Sequence, residues 1–224
     1  MYIFFKRLVD ILISGITLIV SLPLFIPIAI IQKLTAEGYI FYYQKRIGLH
    51  KKNFDLWKFA TMLKDSPNMG TGSITLRNDP RVTPLGKYLR SSKINELPQV
   101  INVLKGDMSI VGPRPLVDRT FTAYSPEIQE KVYNSKPGIT GIGSIVFRDE
   151  ERLISNSDMP PHEFYKTFIA PYKGALEMWY QENKSLTTDF LLIFLTAWVI
   201  VFPSSQLHFK LFKDLPKRPD FLNA

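Results

Sequence analysis

A chain of 224 residues is long enough for one sizeable domain or for a domain with an appendage. Apolar residues at 46% and charged residues at 21% exclude a disordered chain, while 28 Lys and Arg against 20 Asp and Glu leave a formal charge of +8. That excess favours nucleic acid, an acidic membrane surface or a phosphorylated substrate, and the lack of cysteine excludes disulfides, thiolate catalysis and zinc–thiolate sites.

Residues 8–31 are an apolar run broken only by Asp10, Ser14, Gly15, Thr17, Ser21, Pro23 and Pro27. As a straight helix the run reaches about 36 Å, against about 30 Å for the hydrocarbon core of a bilayer. Pro23 cannot donate to the carbonyl of Ile19 and Pro27 repeats the fault one turn later, so the helix should bend or break there. Its flanks are basic on both sides: Lys6 and Arg7 precede it, and Lys33, Lys45, Arg46, Lys51 and Lys52 follow. A helix that enters one leaflet, turns at the prolines and leaves on the same side satisfies both facts, which makes 1–36 a re-entrant anchor. A kinked span and a soluble core helix are the alternatives. Leu34-Thr35-Ala36 lacks the small residue of a signal-peptide cleavage site, and Asp10 lies within pairing distance of Lys6 and Arg7 along a helix.

Residues 39–59 mix aromatic and basic side chains, fitting a membrane interface, a β-hairpin around 48–52, or both. Residues 64–81 are rich in loop formers, and Gly70-Thr71-Gly72 is too short to be a phosphate loop. A helix over 85–89 leads into the stretch 90–115. Within 26 residues that stretch sets carboxylates (Glu96, Asp107), cations (Arg90, Lys93, Lys105, Arg114) and the backbone-shaping Gly106, Gly112, Pro113 and Pro115 around a short apolar helical face. Carboxylates hold a hard divalent cation and arginines hold phosphate oxygens, so the mixture suits phosphoryl chemistry on a metal-bound diphosphate. A solvated helix followed by a proline-rich loop is the plainer reading of the same residues.

Further on, a helix is expected over 126–133 with Ser125 as N-cap. Pro137-Gly138-Ile139-Thr140-Gly141-Ile142-Gly143 is a glycine-rich turn, either structural or placed for close approach to a ligand. Asp149, Glu150 and Glu151 mark a helix start, 164–182 reads as an amphipathic helix, and 190–202 is apolar but too short to span. The tail, with Lys210, Lys213, Lys217 and Arg218, is expected on anionic headgroups. His50, His162 and His208 are too scattered for a local metal motif.

Taken together these blocks resemble the bacterial sugar transferases, the monotopic polyprenyl-phosphate phosphoglycosyl transferases. The likeness runs over nearly the whole chain. It rests on Lys6-Arg7 with Asp10, the proline-broken apolar segment, Gln44-Lys45-Arg46-Ile47-Gly48, Lys58-Phe59, Asn78-Asp79-Pro80-Arg81, Glu96-Leu97-Pro98-Gln99, Asn102 to Ser109, Val111-Gly112-Pro113-Arg114-Pro115 and Pro137-Gly138-Ile139-Thr140-Gly141. It implies an α+β, mostly helical fold: a re-entrant membrane hairpin at 1–36, then a cytosolic domain at 37–224 with interfacial amphipathic helices and a small β-hairpin. It also implies a bacterial inner-membrane enzyme on the cytoplasmic face. Such an enzyme moves a phosphosugar from a UDP-sugar to undecaprenyl phosphate, with Mg2+, to start a lipid-linked glycan. Nucleic acid is not an implied partner, and a homodimer is left open.

By the same resemblance, Glu96, Asn95 and Asp107 take the catalytic positions. Arg90, Lys105, Arg114, Lys58 and Arg81 contact substrate, Glu96 holds the metal, and Pro23 with Ser21 forms the membrane break. Several positions depart from the family pattern. Asn95 stands where the family has the aspartate of an Asp-Glu pair that attacks the β-phosphorus, and a neutral amide is a poor nucleophile. Three consequences are open: attack by Glu96 or Asp107, direct attack by the lipid phosphate, or a non-catalytic protein that binds donor or lipid. Leu22 stands in place of the usual serine, Ala60 in place of a basic residue, and Ile142-Gly143-Ser144-Ile145-Val146-Phe147-Arg148 replaces the usual aromatic and glutamine pattern.

Overall fold

The computed structural model describes residues 1–35, 38–69 and 79–222, with the side chain of Pro67 left aside. Gly70-Thr71-Gly72, Asn78 and the expected boundary at 36/37 lie outside the described residues.

Helix α1 (Tyr2–Thr35) stays helical through Pro23 and Pro27, where a break was expected. Proline's own φ is helical, so its faults are one lost hydrogen bond and ring crowding. Packing offsets both here, because Phe25 and Ile28 bury against Phe59 and Leu89. Ser21 Oγ also donates to the carbonyls of Thr17 (2.7 Å) and Leu18 (3.2 Å), a local back-bond of the kind that bends helices. The buried stripe is Asp10, Ser14, Ser21, Phe25, Ile28 and Gln32, four of them polar. The exposed residues include Ile3, Phe4, Leu12, Ile16, Ile19, Val20, Ile26, Ile30 and Leu34. Polar inside and apolar outside inverts the amphipathicity of a helix facing water and suits one facing lipid.

Both ends of α1 dock on the same body. At the first, Lys6 Nζ bonds Asp189 (2.7 Å) and the Val111 carbonyl (2.9 Å), Arg7 donates to the carbonyls of Val103 and Leu104, and Asp10 accepts from Ser109 Oγ and Ile110 N. At the second, Gln32 Nε2 donates to the Ala60 carbonyl (2.5 Å).

Strands β1 (Phe41–Ile47) and β2 (Asn53–Phe59) form the expected hairpin, in a register that pairs Phe41 with Phe59 and Arg46 with Phe54. Helix α2 (Pro84–Ser91) starts on Thr83, whose Oγ1 accepts from Gly86 N at 3.0 Å. Lys93 takes a left-handed conformation (φ 60), a 3-10 turn runs over Ile94–Glu96, and α3 (Gln99–Lys105) follows. The central stretch is therefore bent into separate pieces. Strand β3 (Ser109–Val111) leads through α4 (Asp118–Phe121) and α5 (Pro126–Lys131, capped by Ser125) to β4 (Gly138–Thr140), which pairs with β3 in parallel. The glycines of this seam face backbone. A Cβ on Gly138 would lie 2.1 Å from Gly112 N, and one on Gly141 would lie 2.2 Å from Gly112 O.

Helices α6 (Ile142–Val146), α7 (Glu150–Ser155), α8 (Pro161–Phe164), α9 (Ala170–Asn183) and α10 (Leu186–Val201) complete the main core. A π-helical turn, Tyr165–Ile169, joins α8 to α9, so the helix expected over 164–182 is present with one looser turn. Helix α10 buries Leu192, Leu195 and Val199 and exposes Phe190, Phe194, Ile200 and Val201. The tail beyond α11 (Leu207–Leu211) folds back rather than lying free: Phe212 is buried, Trp179 Nε1 donates to Asp214 and Tyr172 donates to the Pro216 carbonyl.

Candidate active site

The site forms where the hairpin, the 3-10 turn before α3 and the loop after β3 meet. The αL residue Lys93 turns the chain so that Glu96 ends the short helix facing β2. Lys58 Nζ lies 3.2 Å from Glu96 Oε1, and an Arg114 nitrogen lies 3.8 Å from the same oxygen. Strand alternation puts Arg46 on the same face as Lys58. Arg46 donates to the Pro115 carbonyl (3.1 Å) and to Gln44 Oε1 (2.5 Å), and its buried Nε has no partner among the described residues. Arg46, Leu56, Lys58, Gln99, Arg114 and Pro115 line the cleft.

Lys58 and Arg114 thus face one carboxylate, with Arg46 lining the same cleft, and the electrostatics reflect the excess of positive charge. Burial opposes ionisation of Glu96, yet the Lys58, Arg114 and Lys93 charges outweigh it and hold the carboxyl well below the usual range. Burial, reinforced by Arg46 and Arg114, pushes the Lys58 ammonium down to about 8 despite Glu96. Burial and the Arg114 charge push Arg46 down to about 10. Cations destabilised in this way are relieved by an anion with several oxygens, and a diphosphate is such an anion.

The other expected site residues lie elsewhere. Asn95 is buried next to Glu96 in the chain, and its Oδ1 has no hydrogen-bond partner among the described residues. Asp107 stands beyond the far end of α3, paired with Lys105 at 3.4 Å and accepting from Asn102 Nδ2 at 3.2 Å. Arg90 reaches Glu151 of α7 at 2.7 Å. Arg81 is buried, its guanidinium bonded to both oxygens of Asp79 and to the carbonyls of Ser66 and Met69, which makes it the clamp of that loop. The structure brings Lys58, Glu96 and Arg114 together and leaves Asp107, Lys105, Arg90 and Arg81 outside that cluster. Arg46 was not among the expected site residues; the period-2 alignment of 46 with 58 across a hairpin was the signal for it. Among the described residues no group of three His, Asp or Glu side chains converges on one point. A hard cation that keeps waters and substrate phosphates as its other ligands needs only one or two carboxylates, and Glu96 meets that demand.

Comparison with known proteins bears on the same residues. The chain is 32% identical over 213 residues to the undecaprenyl-phosphate galactose phosphotransferase of Salmonella typhimurium, covering 88% of this chain and 40% of that protein. It is 34% identical over 203 residues to the UDP-N-acetylgalactosamine-undecaprenyl-phosphate N-acetylgalactosaminephosphotransferase of Aeromonas hydrophila, covering 89% and 44%. To the exopolysaccharide production protein ExoY of Rhizobium meliloti it is 31% identical over 205 residues, covering 85% and 83%. The chain spans less than half the length of the first two of these relatives. With the bacterial sugar transferase profile matching residues 1–203, a stretch that holds α1, the hairpin and the whole cationic cleft, the chain belongs to the bacterial sugar transferase family.

Proposed function

We propose that the protein moves a phosphosugar from a UDP-sugar to undecaprenyl phosphate on the cytoplasmic surface of a bacterial inner membrane, starting a lipid-linked glycan. The pairing of Glu96 with Lys58 and Arg114, in a cleft that Arg46 also lines, carries the reading, since several cations beside one carboxylate suit a diphosphate. The names of the relatives agree with it. Asn95 has no ionisable group and Asp107 stands at the other end of α3, so Glu96 takes the attack. Its oxygen bonds to the β-phosphorus, the bond to the bridging oxygen breaks, and UMP leaves with the electron pair while the three cations hold the phosphate oxygens. An oxygen of the lipid phosphate then attacks the same phosphorus and releases Glu96. Magnesium, when bound, would be held by Glu96 with phosphate oxygens and would neutralise charge on the diphosphate.

The membrane part of the proposal is a re-entrant α1. A spanning helix would place one end about 30 Å from the other across the bilayer core. That would cost either the Lys6 and Arg7 bonds or the Gln32 bond and Phe25 packing, so docking of both ends on one body supports a helix that enters and leaves on one side.

Membranes carrying the protein should turn over a member of a UDP-sugar panel repeatedly, with continued UMP release, only when polyprenyl phosphate and magnesium are present. A stoichiometric UMP burst without the lipid supports the Glu96 intermediate; steady release that needs the lipid from the first turnover assigns the attack to the lipid phosphate instead. Asn95, a buried amide in the usual nucleophile position, favours a second reading as a non-catalytic binder of donor or lipid. Tight UDP-sugar binding with no UMP from any donor would establish that reading.

A further inference from the structure

Helix α9 buries a carboxylate that the transfer chemistry above does not use. Glu177 is 1% exposed, and its Oε1 accepts a hydrogen bond from the backbone N of Arg114 at 3.2 Å. It reaches that far because residue 143 is glycine; a Cβ there would lie 2.4 Å from the same oxygen. Its Oε2 is buried and has no partner among the described residues.

The groups facing it come from every neighbouring element. Lys173, one turn earlier on α9, is committed to Glu150 of α7 and lies over the rings of Phe147 and Tyr165. Tyr165 of the π-helical turn has a buried, unpartnered hydroxyl, Tyr124 and Tyr133 flank α5, and the Arg114 charge approaches from the loop after β3. Burial pushes the Glu177 carboxyl up to about 7, with the Arg114 N–H, Lys173 and Arg114 compensating only in part.

We propose that Glu177 is a positioning residue for the donor. As a carboxylate it pins the Pro113-Arg114-Pro115 turn to α9 with the Arg114 side chain directed at the cleft, and its protonation loosens that hold and weakens donor binding. The physical step is the loss of a charge-assisted hydrogen bond to Arg114 N together with the attraction to the Arg114 guanidinium. The inference rests on the phosphosugar-transfer reading.

The test is the KM for the active UDP-sugar, read as UMP release by the full-length protein in lipid nanodiscs at saturating undecaprenyl phosphate. The diphosphate of a UDP-sugar carries no proton to titrate in this range, and Lys58 stays mostly protonated. Between pH 7.5 and 6 the carboxylate fraction of a group titrating near 7 falls about eightfold, so KM should rise severalfold, with about eightfold as the ceiling, and kcat nearly constant. Glu177→Gln should show the high KM at pH 7.5 and change less than about twofold over the same interval, whereas a purely structural role would shift KM equally at every pH. Tyr165→Phe, which leaves the bond to Arg114 N in place, should keep the wild-type slope. A flat wild-type KM from pH 6 to 7.5, or an unchanged slope in Glu177→Gln, overturns the inference; the wild-type profile alone decides if that variant does not fold. Absence of UMP release at every pH overturns the transfer reading and this inference with it, while release with a flat KM overturns this inference alone.

Discussion

Binding of UDP should draw a proton onto Lys58. In the empty cleft that ammonium is pushed down to about 8 by burial and by the charges of Arg46 and Arg114, so at pH 8 about half of the molecules hold a neutral lysine and at pH 9 about nine-tenths do. A diphosphate bound among these cations adds negative charge within reach of Nζ and restores the protonated form. The uptake is therefore about 0.5 proton per UDP at pH 8 and about 0.9 at pH 9. Glu177, already ionised there, adds almost nothing, and Arg46, at about 10, adds about 0.1 at pH 9. Isothermal titration calorimetry in two phosphate-free buffers of different ionisation enthalpy reads the number directly. Lys58→Met should leave only the Arg46 share, and the affinity should fall. An uptake below about 0.1 at both pH values would refute a buried, charge-stressed lysine at the diphosphate site.

Glu96→Gln should abolish UMP release, by about a thousandfold or more, whereas Asp107→Asn should retain it within a few-fold because Asp107 stands at the far end of α3; equal losses in the two would remove Glu96 from its role. Asp189 accepts from Lys6, Tyr2 and Tyr180, so Asp189→Asn strands a buried ammonium and should cost about 3 kcal/mol, seen as a lowered unfolding temperature in nanodiscs. The Glu177 carboxyl has a folded pKa above its unfolded one, so it stabilises while protonated and that contribution is lost as pH rises through about 7. From pH 5 to pH 8 wild type should lose stability on the order of 2–3 kcal/mol that Glu177→Gln keeps, measurable by chemical denaturation of the two proteins side by side.

The elements that were legible in the sequence are those whose pattern is local. The apolar run of α1, the aromatic and basic alternation of the hairpin and the Ser125 cap each fix their own conformation. What stayed hidden depends on distant partners. Asp10 reads as an interruption of an apolar run and Gln32 lies just past its end, and only Ser109, Ile110 and Ala60 around α1 reveal the two as part of a buried polar stripe. Asp107 lies 11 positions from Glu96, close enough to be counted with it, but α3 runs between them and carries Asp107 to the other side. Glu177 sits 63 positions from Arg114 on an unremarkable helix, and nothing near it in the chain announces the bond to Arg114 N. The Gly138 and Gly141 turn proved to be a backbone seam, because its glycines meet Gly112.

On the proposed function, the hairpin joins the face toward α1 and the face toward the cationic cleft in one short segment. Successive residues of a strand point to opposite faces, so Lys58 and Phe59 cannot serve the same side. Phe59, with Phe41 stacked on it at 5.4 Å and Phe25 of α1 against its edge at 4.9 Å, ties one face to the membrane helix. Lys58 and Arg46 occupy the other face and meet Glu96 and Arg114 across the cleft. Moving the β1–β2 register by one residue would turn one strand over relative to the other, sending one of Arg46 and Lys58 away from the cleft and parting Phe41 from Phe59. The register is held at the sheet's end by Ile47 N donating to the Leu116 carbonyl and Gly48 N to the Lys52 carbonyl, and in mid-strand by Asn102, whose amide bonds Trp57 N and the Asp55 carbonyl. A cleft fixed to the opposite face of the sheet that grips α1 stays at a set distance from that helix, as the proposed transfer from a soluble donor to a lipid-held acceptor requires.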